Sequence, residues 1–297
     1  MSNGVVMFGL NGTARIISNK SNLYIDYIKM AVANAILIKK YMKNNSVCLL
    51  TDKKGKSHLE KINGTQYFDH IIIQNIVYDG VGPNTNLQVN TRAMRMGTDT
   101  IRLPWQNQSR PDAYRLSPYD KTILLDSDYF VFDNTLDSLF DTDCDILCGA
   151  NVEEVGQQEN LIDYYRLHHQ TIKMYWATVL YFTKSYEADL LFKIVAMVKK
   201  SWIYYGKLYK FESSRTYRND FAVSVAIHML NGRNETKDYA LPYKIMCLAD
   251  KHIMTSNTGI VFRQKNQNWI GSSVPKQNIH VMNKQSAMEL AERVCNG

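Results

Sequence analysis
The stretch from Tyr119 to Phe132 constrains this chain more than any other. A short apolar run, Thr122 to Leu125, ends in two carboxylates one residue apart, Asp126 and Asp128. An aromatic and β-branched run, Tyr129 to Phe132, follows directly. An unbroken Ile-Leu-Leu segment is apolar on both sides of a strand, so it belongs in the middle of a sheet covered on both faces. Strand geometry sends side chains two residues apart to one face, which brings Asp126 and Asp128 together at the strand end. Two such anions repel unless a cation lies between them, and a divalent metal carrying a diphosphate meets that need. The alternative is a plain Asp-Ser-Asp turn.

The surrounding pattern alternates strands and helices. Val5 to Leu10, Ser46 to Thr51 and His70 to Gln74 read as strands, and Leu23 to Met42 carries a helical apolar repeat. Residues 77–110 read as loop, broken by Gly80, Gly82 and Pro83. Farther on, helices are expected over 160–175, 186–204, 219–230 and 285–294, with strands at 178–182, 239–248 and 279–282. This predicts an α/β fold with a mostly parallel sheet flanked by helices and a more helical C-terminal half. Ligands of such sheets bind at the carboxyl ends of the strands, where Asp126 and Asp128 fall. The 297 residues are read as one domain, with a nucleotide-binding lobe over 1–150 and an acceptor lobe over 151–297.

Residues 114–140 resemble the glycogenin-like, family 8 type, GT-A glycosyltransferases. The likeness rests on Tyr119-Asp120-Lys121, the apolar run, Leu125-Asp126-Ser127-Asp128, and Asn134 followed by Leu139-Phe140. The resemblance implies a GT-A fold and a metal-dependent glycosyltransferase, a hexosyl- or pentosyltransferase moving a sugar from a UDP-sugar to an acceptor hydroxyl. It implies that Asp126 and Asp128 hold Mn²⁺ or Mg²⁺, that His280 completes the metal shell, and that Lys284 meets the donor phosphates. Two carboxylates and an imidazole suit an octahedral site and tilt it toward Mn²⁺. Asn11, Tyr27 and Asp52 lie where strand ends and the first helix would meet the uridine. Arg92, Arg110 and Arg115 are candidates to neutralise the diphosphate. Asp220, at the start of a helix, is the candidate to orient sugar hydroxyls or act as general base, or else it serves the helix dipole. Trp176 and Thr178 replace the Asn and Gly that the family carries in an aromatic-Asn-Ala-Gly run, which leaves sugar and acceptor specificity open; the alternative is plain strand core.

Charge and cysteine usage narrow the partners. The net charge is +7. Residues 1–150 hold 16 basic and 15 acidic side chains, so residues 151–297 hold 19 and 13, and the excess lies in the acceptor half. Between Lys199 and Arg218, six basic residues interleave with six aromatics, including Trp202 and Tyr209. Such a mixture suits phosphate contacts with stacking, or else an amphipathic helix with an aromatic core face. The phrase from Arg115 to Asp126 resembles glycosyltransferases of tailed phages, which implies a host-cytoplasm enzyme acting on DNA that carries 5-hydroxymethylpyrimidines. A glycan, a protein or a small molecule is the alternative acceptor, and a non-catalytic nucleotide-sugar or DNA-binding protein the alternative class. Five cysteines form no Cys-x-x-Cys pair, which fits a reducing cytosol. No stretch of 18 uncharged apolar residues occurs, and no membrane partner is expected.

Overall fold
The computed structural model describes residues 1–10, 14–18, 21–42, 44–74, 91–96, 99–104, 107–155, 166–167, 172–211, 217–232, 237–248, 252–255, 259–263, 271–275 and 277–297. In chain order the strands are β1 (Asn3–Gly9), β2 (Ala14–Ser18), β3 (Ser21–Ile25), β4 (Ser46–Thr51), β5 (His70–Ile73), β6 (Thr91–Met96), β7 (Asp99–Pro104), β8 (Lys121–Leu125), β9 (Tyr129–Phe130), β10 (Ile146–Gly149), β11 (Val152–Glu154), β12 (Trp176–Thr183), β13 (Ile245–Leu248), β14 (His252–Thr255), β15 (Gly259–Arg263), β16 (Gly271–Pro275) and β17 (Ile279–Val281). The helices are α1 (Tyr27–Tyr41), α2 (Lys53–Lys61), α3 (Ala113–Leu116), α4 (Tyr186–Lys200), α5 (Trp202–Leu208), α6 (Asn219–Leu230) and α7 (Lys284–Asn296).

The central sheet has six strands in the order β10-β12-β8-β1-β4-β5. β8, β1, β4 and β5 are parallel; β12 runs antiparallel to β8 and β10 antiparallel to β12, so β12 alone is reversed in this sheet. The apolar run is therefore central, and its alternation fills two cores. Ile123 and Leu125 join Val5, Met7, Val47 and Leu49 under α1 and α7. Leu124 joins Val6, Phe8, Cys48 and Leu50 under α4, α5 and α6. The fold class is the expected one: an α/β layer with a mostly parallel sheet and helices on both faces.

A second sheet, β11-β13-β17-β9, carries the residues after the two carboxylates. β17 pairs antiparallel with β9, setting His280 opposite Tyr129 and Ile279 opposite Phe130. Asn278 clamps the same edge: its Oδ1 accepts from the N–H groups of Phe132 (2.7 Å) and Asp133 (3.1 Å). Two hairpins, β2–β3 and β6–β7, and the meander β14–β15–β16 complete the strands.

Several boundaries differ from those read in the sequence. The N-terminal part of the expected 23–42 helix is strand β3, because Asp26 caps α1 by accepting the Lys29 N–H at 2.9 Å. The supposed loop over 77–110 contains the β6–β7 hairpin and a 3₁₀ turn at 107–112. The expected helix over 186–204 breaks at Ser201 into α4 and α5. Of the expected 160–175 helix, the described residues are not helical, and Arg166 and Lys173 form an isolated antiparallel bridge. Only 245–248 of the expected 239–248 strand is a strand.

Candidate metal centre
The site begins where β8 stops. Asp126 to Tyr129 form a turn, closed by the Tyr129 N–H donating to the Asp126 carbonyl at 3.1 Å. The two carboxylates thus converge through a turn and not through strand alternation. The turn is held from three sides. The Asp126 N–H donates to the Thr178 carbonyl of β12 at 3.0 Å. Asn34, wholly buried in α1, donates from Nδ2 to the Ser127 carbonyl at 2.8 Å. The Val281 N–H of β17 donates to the Asp128 carbonyl at 2.9 Å.

That last bond brings a residue from the far end of the chain to the motif. One ligand atom each of Asp126, Asp128 and His280 lie within 4.8 Å of one another. His280 Nε2 is 3.5 Å from Asp128 Oδ2, and Nδ1 is 3.4 Å from Thr178 Oγ1. Donor atoms around 2.1 Å from one ion are separated by up to roughly 4.4 Å, so this set closes on a common ion with a shift of a few tenths of an ångström. Oxygen donors with one imidazole are the chemistry of a divalent ion such as Mn²⁺.

Two cations flank the carboxylates. Arg110, only 4% exposed, pairs through Nη1 with Asp126 Oδ1 and through Nη2 with the Ala177 carbonyl. Lys284 Nζ, at the start of α7, pairs with Asp128 Oδ2. The Lys284 ammonium also lies 6.0 Å from the centre of the Tyr27 ring. Sequence reasoning therefore named Tyr27, Arg110, Asp126, Asp128, His280 and Lys284, and the fold brings these six together. Asp128 itself is buried.

The other candidates stand in different places. Asp220 lies in the first turn of α6, where its Oδ1 accepts the Ala177 N–H at 3.0 Å and its Oδ2 faces Arg218 Nη2 at 3.4 Å. The Ala177 peptide is thus gripped at both ends, by Asp220 on its N–H and by Arg110 on its carbonyl. Asp52 is at the same carboxyl edge of the sheet as Asp126, since β1, β4 and β8 are parallel. It caps α2 by accepting the Gly55 N–H at 2.6 Å, and is buried. Arg115 is 72% exposed and pairs with Asp112 at 3.6 Å, away from the carboxylate cluster. Asn11 and the Arg92 side chain lie outside the described residues.

Two contributors were missed. Asn34 sits in the apolar repeat of α1, and a polar residue on a core-facing helix stripe was the available signal. Thr178 was noted only as a substitution; its contacts need the β12–β8 register, which no local pattern shows.

The basic, aromatic segment resolves into its core alternative. Trp202, Tyr205, Tyr209, Phe211 and Tyr217 are buried, and the Trp202 ring packs 4.7 Å from Phe211 and 5.0 Å from Tyr217. Trp202 and Tyr209 are therefore not offered for stacking. The thiols do not join the site: all five cysteines are unbridged, and burial pushes that of Cys48 up to about 12 and raises that of Cys148 as well.

No protein-family model matches the chain, and no curated protein matches it in sequence. Solved structures similar to it include the galactosyltransferase LgtC in complex with donor and acceptor sugar analogs, at 16% identity over 75% of this chain and 70% of that one, with a TM-score of 0.43. The glycosyltransferase GlyE of Streptococcus pneumoniae TIGR4 is similar at 14% identity over 81% of this chain and 46% of that one, with a TM-score of 0.38. Mouse xyloside xylosyltransferase 1 is similar at 12% identity over 77% and 82%, with a TM-score of 0.41.

Proposed function
We propose that this chain is a metal-dependent glycosyltransferase of the GT-A kind, moving a sugar from a UDP-sugar to an acceptor hydroxyl. The observation that supports it most is the convergence of Asp126, Asp128 and His280 at the carboxyl edge of a parallel sheet. These three would hold the ion, Mn²⁺ in preference to Mg²⁺, because imidazole is among the donors. When bound, a divalent ion supplies Lewis acidity to the departing diphosphate. The transfer breaks the bond from the anomeric carbon to the diphosphate oxygen, forms one to the acceptor oxygen, and releases the acceptor proton.

The protein's own groups supply orientation and charge. Arg110 keeps Asp126 aimed at the site by gripping it together with the Ala177 carbonyl. Lys284 places a positive charge next to Asp128, where negative charge grows on the leaving UDP. Tyr27, Asp52 and Asn11 are assigned to the uridine. Asp220 is assigned to the sugar side, where its grip on Ala177 favours positioning over proton transfer. For the acceptor, 5-hydroxymethylpyrimidine DNA rests on the basic C-terminal half, since Trp202 and Tyr209 are core.

The test is incubation of the chain with a panel of UDP-sugars, Mn²⁺ and acceptors that include hydroxymethylcytosine DNA, with products read by mass. UDP release should require the ion, stop in EDTA and return with added Mn²⁺. Release that continues unchanged in chelator overturns the metal assignment. Tight UDP-sugar binding with no turnover for any acceptor or water favours a nucleotide-sugar-binding protein.

A further inference from the structure
Four large apolar side chains stand open to solvent between Met197 and Leu208: Met197 at 41% exposure, Ile203 at 61%, Tyr204 at 63% and Leu208 at 49%. Met197 is near the end of α4, and the other three are on α5. Ile203, Tyr204, Lys207 and Leu208 follow a spacing that places them on one side of α5, while Trp202, Tyr205 and Gly206 face the core. Lys200, Lys207 and Lys210 are exposed beside them. No acidic residue occurs between Asp189 and Glu212, whereas Lys193, Lys199, Lys200, Lys207 and Lys210 do. An apolar strip with Lys200, Lys207 and Lys210 exposed beside it is unlike a scatter of single exposed residues, which needs no explanation.

The chemistry of the strip selects its occupant. A second copy docked symmetrically would set lysines against lysines, which disfavours association. A nucleic acid would meet the lysines but give Ile203 and Leu208 only sugars and phosphates, with Tyr204 the one ring for stacking. An anionic bilayer meets both demands, with lipid phosphates for the ammonium groups and acyl carbons beneath for Met197, Ile203 and Leu208. Tyr204, apolar in its ring and polar at its tip, suits the boundary between the two.

We propose that the end of α4 together with α5 is a peripheral membrane face that binds anionic phospholipid. No helix among the described residues is long and apolar enough to cross a membrane, so the chain would lie on the surface. With seven residues, α5 is roughly 10 Å long, which makes the contact shallow and reversible. This face stands apart from the transferase reading because none of these residues belongs to the metal centre.

The experiment is co-sedimentation of the whole chain with vesicles of phosphatidylcholine, with and without phosphatidylglycerol. Binding should require phosphatidylglycerol and weaken as salt rises. Lys207→Gln and Lys210→Gln should each weaken it by about fivefold, and Ile203→Ser with Leu208→Ser by more than about tenfold. All four positions are exposed, so the variants should fold, and UDP-sugar hydrolysis in solution should match wild type. Absence of binding to anionic vesicles overturns the proposal. So does binding that the Ile203→Ser, Leu208→Ser pair leaves unchanged, or a DNA duplex that binds through the same lysines and displaces the vesicles.

Discussion
At the scale of single residues, Asp128 answers two demands at once. It is a candidate metal ligand, and it is also the counter-ion of Lys284, with both side chains only 7% exposed. Breaking a buried ion pair by removing one partner typically costs about 3–5 kcal/mol, because the other charge stays behind. Asp128→Asn should therefore lower the denaturation midpoint as well as abolish Mn²⁺-dependent turnover. Adding Lys284→Met should recover much of the stability and none of the turnover. If Asp128→Asn is as stable as wild type, the buried pair is not formed in solution. Thr178 invites a second test. Its hydroxyl, 3.4 Å from His280 Nδ1, can accept that N–H and leave the Nε2 lone pair for a metal ion. Thr178→Val should weaken Mn²⁺ binding by about tenfold, while Thr178→Ser should retain it. Titration calorimetry with Mn²⁺ decides this without any turnover assay.

At the scale of elements, the pairing of β9 with β17 joins Asp128 to His280, and Asn278 secures it. Asn278 is buried and satisfies the backbone N–H groups of Phe132 and Asp133 just beyond β9, while its Nδ2 donates to Asp133 Oδ1 at 2.7 Å. Asn278→Ala should cost about 1–3 kcal/mol for the donors left unpaired. It should also loosen His280 and weaken Mn²⁺ binding, although Asn278 is not a ligand. An unchanged Mn²⁺ affinity would show that the backbone pairing of β17 with β9 and β13 holds His280 without Asn278. The first turn of α2 is equally constrained. A side chain at Gly55 would place Cβ 2.1 Å from Thr51 Oγ1 and 3.1 Å from the Gly9 carbonyl. Thr51 Oγ1 itself bonds that carbonyl at 2.6 Å, tying the ends of β1 and β4 together. Gly55→Ala should thus destabilise the fold by about 1–3 kcal/mol, as measured by chemical denaturation.

Across the whole molecule, one sheet separates two cores, and charge pairs bind the periphery. Glu292 is held below its ordinary value by its bond to Lys29, which ties α7 to α1. Asp69 and Asp238 are raised by partial burial but lowered further by Lys39 and Lys173 and by backbone N–H groups, so both end below the ordinary value. A carboxyl depressed by folding contributes stability above its unfolded pKa and loses it as pH falls through the folded value. Asp137, raised by burial, acts in the opposite sense. With Asp120, lowered by its bonds to Ser2, four depressed carboxyls stand against one raised carboxyl, which predicts a denaturation midpoint that is flat near neutrality and falls below about pH 4. A midpoint that rises on acidification over that range would contradict these assignments.

What the amino-acid sequence determines by itself is local. The run Ile123-Leu124-Leu125 demands cover on both faces, and the alternation of apolar segments makes the sheet mostly parallel, so the carboxylates fall at its ligand-binding edge. The resemblance of the segment around Asp126 and Asp128 to a family motif is what suggested His280 and Lys284. Tertiary structure decided what depends on register between distant segments. It placed Arg110 on Asp126, Lys284 on Asp128, and Thr178 between Asp126 and His280. It also turned five of the six aromatics of residues 199–218 inward and left Tyr204, with Ile203 and Leu208, outside. The physical reason is that periodicity reports which side chains share a face, whereas only packing against a particular neighbour decides whether that face is buried or open to solvent.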